Sequence, residues 1–111
     1  MDKETTPVKV NILRVIDGAM QSAKHRLESL LVDYHKDVIK LSQAEYTALL
    51  EFRGAAATLE LLFDDYFAQV EEHDVDTLYL PGPEFRLVLD LSKTVETSFR
   101  SSIAHTGIWA H

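Results

Sequence analysis

Two runs of apolar residues, each advancing in alternating steps of three and four, limit what this chain can fold into more than any other feature. The first is Leu13, Ile16, Met20, Ala23, Leu27, Leu30 and Tyr34; the second is Leu49, Phe52, Ala56, Leu59, Phe63, Tyr66 and Val70. Such a step keeps one side of an α-helix apolar over many turns, whereas strand side chains change face at every residue. The spacing therefore predicts two long amphipathic helices.

The break between them is written in "SQAE", Ser42 to Glu45. Serine followed three residues later by glutamate is a capping box, in which each side chain accepts a hydrogen bond from the other residue's backbone N–H. Leu41 and Tyr46 occupy the flanking hydrophobic-staple positions. A second helix over 43–73 follows almost directly on a first over 7–40, and so short a connection makes them antiparallel neighbours. Thr6 and Pro7 suit a helix start, with threonine as N-cap and proline in the first turn. The alternation Val8, Val10, Ile12 also admits a short strand there. The seam breaks at Asp37, and Gly18 inside it costs about 1 kcal/mol relative to alanine or marks a close contact.

A turn near 41–42 sets facing residues across the hairpin. Leu27 then opposes Ala56 and Ala23 opposes Leu59–Glu60, so small meets large there, while Met20 opposes Phe63 and Tyr34 opposes Leu49. Gly54 to Ala57 reads as a surface for close approach of the first helix. The same register places Lys24 beside Glu60 as a surface ion pair. Pro81, Gly82 and Pro83 punctuate the chain, and Phe85, Val88, Leu91 or Ser92, Val95, Phe99 and Ile103 mark a third helix over 83–105. Gly107 and Ile108 resemble its stop signal.

The expected fold class is all-α: a three-helix antiparallel bundle built on a long helical hairpin. Residues 1–5 form a frayed N-terminus and 6–111 a single helical domain. At 111 residues the chain is one domain's worth,. Helix two is also apolar off its seam at Leu50, Leu61, Leu62 and Phe67, and the third helix is too short to cover the hairpin. Homodimerisation into a four- or six-helix assembly, with coiled-coil-like seams, is the expected remedy.

Charge narrows the function classes. The net charge is −7, and residues 41–80 hold nine acidic and one basic side chain. Phosphate neutralisation needs clustered Lys and Arg, so direct nucleic-acid binding is disfavoured. There is no cysteine, hence no disulfide and no thiolate metal site. No apolar run approaches the ~18 residues of a membrane span, and the first residues lack the layout of a secretion signal. A cytoplasmic protein without membrane association is expected.

Catalytic and metal patterns are mostly missing. No Glu-x-x-His, His-Glu-x-x-His, Walker loop or dinucleotide glycine motif occurs,. Asp64 and Asp65 are adjacent, so on a helix they point about 100° apart and cannot share a proton or metal as a dyad does. Glu71, Glu72, His73, Asp74 and Asp76 are the best metal candidate by composition, but they lack calcium-loop spacing and read as a solvated helix exit. His25 and His35 read as exposed. Tyr79, in an apolar loop, and Trp109, near the end, either cap the bundle or anchor a partner.

These readings converge on a non-catalytic helical protein–protein interaction module, a small accessory, adaptor or assembly protein without cofactor. Glu51, Glu60, Asp64, Asp65, Glu71 and Glu72 would form its acidic recognition face, and Leu61, Phe67, Tyr79 and Trp109 its apolar anchors, for a protein partner with a basic surface. The alternative is an inhibitor or antitoxin-like mimic of nucleic acid, a description that small virus-encoded proteins would fit.

Overall fold

Local signals place most helix boundaries, and a long-range pairing overrides one of them. A computed structural model describes residues 5–38 and 40–103, with the backbone alone for Ile103. In chain order these form β1 (Thr5–Lys9), α1 (Val10–His35), α2 (Gln43–His73), β2 (Thr77–Pro81) and α3 (Gly82–Ile103).

The N-terminal segment corrects the all-α expectation. Residues 5–9 do not start a helix: they pair antiparallel with Thr77–Pro81, with Val8 opposite Leu78 and Pro7 opposite Tyr79. The backbone N–H of Val10 donates to the carbonyl of Asp76 at 2.9 Å. Because hydrogen-bonded and non-bonded pairs alternate in an antiparallel ladder, Val8–Leu78 and Thr6–Leu80 are then bonded pairs. Pro7 and Pro81 fall at positions whose missing N–H would point away from the partner strand, where proline is tolerated. Val8, Leu78 and Leu80 are buried, and Tyr79 is 65% exposed on the opposite face. Tyr79 thus sits on a strand, not in a loop.

Helix α1 also ends earlier than 40. Asp37 takes a left-handed φ of 62°. The N–H of Val38 donates to the Asp33 carbonyl at 2.9 Å, and that of Asp37 to Tyr34 at 3.1 Å. This is a Schellman closure with aspartate where glycine is commonest. The seam's failure at Asp37 marks the stop.

Helix α2 has the bounds its sequence predicts. The Ser42 hydroxyl accepts from the Glu45 N–H at 3.0 Å, and the Glu45 carboxylate accepts from the Ser42 N–H at 2.8 Å. Asp74, at φ 53°, closes the other end, donating its N–H to Val70 at 2.7 Å.

Helix α2 is the central element, with α1 on one flank and α3 on the other. Leu13, Met20, Leu27 and Leu30 of α1 are buried against it, as are Val88 and Val95 of α3. The small segment of α2 divides differently from the sequence reading. Ala56 lines the cleft toward Leu27 of α1, as the register predicts. Ala55 instead turns to α3 beside Ser98, and the most extensive helix contact is α2 with α3. Small side chains permit it: Ala48, Ala55, Ser98 and Ser102 are all buried. The serine hydroxyls donate to carbonyls of their own helix, Ser102 to Phe99 at 2.8 Å, so neither is left unpartnered.

Among the described residues, no other helix approaches Gly54 closely. A Cβ built there, or at Gly18, would meet nothing within 4 Å. Both glycines lie in helix interiors, where alanine is favoured by about 1 kcal/mol. Gly18→Ala and Gly54→Ala are each expected to stabilise by about that amount, additively, as measured by denaturant midpoint at unchanged slope.

Candidate functional site

The seam of α2 faces inward, so its outer face is fixed by default. On that face Leu50, Gly54, Ala57, Leu61 and Ala68 fall in one line, each exposed. Their spacing is that of a second, outward stripe on the same helix. Leu61 is 72% exposed. Asp64 and Glu71 run along one side of the stripe with Arg53, while Asp65 and Glu72 run along the other; all are exposed. Helix α2 carries seven carboxylates and one guanidinium. Among the described residues, Glu51, Asp64, Asp65 and Glu71 form no ion pair. Asp65 accepts a hydrogen bond from Gln69 at 3.0 Å.

Two of the acidic-face and anchor candidates are committed within the chain. Glu60 accepts from Lys24 and from Gln21, each at 2.8 Å, so it ties α1 to α2. The Lys24 hydrogen bond holds the Glu60 carboxyl below its ordinary 4.5, and the Lys24 ammonium is correspondingly raised. A lowered carboxyl contributes stability above its unfolded value and loses it as pH falls through the folded one. For so open a pair the contribution is no more than ~1 kcal/mol. Phe67 is half-buried, 5.8 Å from the Phe63 ring, with the Arg14 guanidinium over its face at 4.6 Å. The facing register that pairs Lys24 with Glu60 sets Arg14 opposite Val70, and its long side chain reaches one turn further to Phe67.

The remaining candidates are dispersed. Glu51 lies toward α3, by a shallow depression it shares with Asp90 and Lys93. Tyr79 stands on the ribbon beyond the C-terminal end of α2, beside Asp74 and Asp76. Trp109, Gly107 and Ile108 lie outside the described residues. His25 and His35 are exposed. Among the described residues no group of three or more His, Asp or Glu side chains is placed to hold a metal ion. No helix of the described residues is long and apolar enough to cross a membrane.

Leu50, Gly54, Ala57 and Ala68 are the part of this face that sequence reasoning did not assemble. Their spacing was present in the chain, overlain by the stronger inward seam. No protein-family model, curated protein or solved structure matches the chain.

Proposed function

We propose that this protein is a non-catalytic helical interaction module whose α2 outer face receives a basic, amphipathic segment of a protein partner. One observation carries this reading: an exposed apolar stripe centred on Leu61, bordered on both sides by exposed carboxylates, of which Asp64, Asp65 and Glu71 form no ion pair among the described residues. Helix-in-groove and helix-on-helix recognition use such a stripe for contact and the flanking charges for orientation and steering. The small Gly54 and Ala57 let a partner helix approach closely, and Leu50 and Leu61 bracket that approach. Such a module acts in the cytoplasm as an adaptor or assembly factor, through protein contact alone.

The test is titration with a synthetic Lys- and Leu-rich amphipathic helical peptide, read by fluorescence anisotropy. Binding is expected to weaken steeply with added salt, because exposed charges are screened over about 10 Å at 0.1 M. Asp64→Lys/Asp65→Lys is expected to weaken it by about tenfold or more, and Leu61→Ser similarly. Affinity indifferent to salt and to these substitutions would remove the acidic face from the account. Competition by duplex DNA for a captured natural partner would favour the nucleic-acid mimic.

A further inference from the structure

On the side of the molecule opposite the α2 outer face, α1 and α3 do not close on each other. Between them runs a groove of about 480 Å³, walled by Val15, Ala19 and Ala23 of α1 and by Val95, Glu96 and Phe99 of α3. Its floor is Met20 and Leu59, both part of the core. Arg26 reaches over the Phe99 ring at 5.9 Å and bridges the two helices at one end. The chain is correspondingly extended, with a radius of gyration of 16.4 Å against about 13 Å for a compact domain of 100 residues.

We infer that this groove is the seat of a second copy of the same chain, packed groove to groove about a two-fold axis. Charge favours a like partner here and nowhere else along the helices. Helices α1 and α3 each carry three Lys or Arg and three Asp or Glu, whereas α2 carries seven acidic residues and one basic. Two copies meeting through α2 would oppose carboxylate to carboxylate; through α1 and α3 they meet without net charge.

Shape points the same way. A two-fold interface must present protrusion and recess on one patch. Ile12 and Val15, 55% and 71% exposed, stand out from α1 next to the recess that Ala19 and Ala23 leave. Glu96 and Arg100, paired at 2.8 Å on the rim of α3, lie one turn apart. In two antiparallel copies of α3 they can exchange partners reciprocally. Even the narrower long side of a molecule 51 × 27 × 22 Å in extent is wider than the ~800 Å² per partner of a standard interface.

The consequence is bivalence. Because the groove opens away from the α2 outer face, the dimer carries its two acidic faces on opposite sides. The dimer itself does not depend on the proposed function, and each can fail alone.

Light scattering coupled to size exclusion, on the full chain at micromolar concentrations, decides the matter. The wild type is expected at twice 12.6 kDa. Val15→Glu/Ala19→Glu changes two exposed positions and is expected to yield single chains with unchanged helical circular dichroism, the dimer weakening by about tenfold or more. Leu61→Glu, on the far side, is expected to leave the dimer intact. A wild type that runs as one chain overturns the inference, as does a dimer that survives the α1 substitutions and is lost with Leu61→Glu.

Discussion

Replacing Phe52 by alanine is expected to cost about 3–5 kcal/mol, the range for truncating a buried aromatic ring. Phe52 has no exposed surface. It lines the cleft between α1 and α2 together with Leu27 and Leu49, and its ring lies 6.3 Å from that of Phe99 on α3. The substitution therefore loosens both flanks of the central helix at once, and neither can move in to fill the space without leaving the other. Domains of this size hold about 5–15 kcal/mol in total, so the variant is expected near the edge of folding. Urea unfolding followed by circular dichroism measures it. A loss below about 1 kcal/mol would mean that α2 is not gripped from both sides as described.

Tyr66→Phe is the second large effect, and it has a pH signature. Tyr66 is 1% exposed, and its hydroxyl donates to the Glu84 carboxylate at the start of α3. Removing the hydroxyl leaves a half-buried carboxylate without that donor, at a cost of about 1–3 kcal/mol at neutral pH. Burial, chiefly, and then the Glu84 carboxylate push the phenol well above its ordinary 10.0. A folded-state value above the unfolded one favours the protonated form in the fold. Stability is thus intact below pH 10 and declines as pH rises beyond it, by up to about 1.4 kcal/mol for each pH unit. Phenylalanine has no proton to lose. The advantage of the wild type over Tyr66→Phe is accordingly expected to shrink above pH 10. Parallel curves would show that Tyr66 is not held as described.

How much of this was legible in the chain depends on whether each signal was local. The bounds of α2 follow from the Ser42–Glu45 box and the seam to Val70, all within one helix. The end of α1 was marked by Asp37, although the seam's apolar neighbours Val38 and Leu41 carried the expected helix too far. Thr6–Pro7 favours a helix start, while the alternation Val8, Val10, Ile12 admits a strand. What decides between them is pairing with Thr77–Pro81, about 70 residues away, which no local pattern encodes. Likewise the seam of α2 shows that Ala55 and Ala56 lie near the buried side, but not that one faces α3 and the other α1.

The candidate site divides along the same line. The acidic excess of the middle third was plain from composition, and its placement outside followed from the inward seam. That Glu60 is engaged by Lys24 follows from the hairpin register as well, but the same register sets Arg14 opposite Val70, so its reach to Phe67 one turn away depends on the length of the arginine side chain. The stripe from Leu50 to Ala68 was visible only once the inward face had been subtracted from the helix.

Backbone amide NMR of the labelled chain, titrated with the same cationic helical peptide, addresses the account's central claim most directly. Shift changes are expected along one line on α2, at Leu50, Gly54, Ala57, Leu61, Asp64, Asp65 and Ala68, while Val15, Ala19 and Val95 stay still. Changes gathered instead at the α1–α3 groove, or scattered over the surface without saturation, would contradict it.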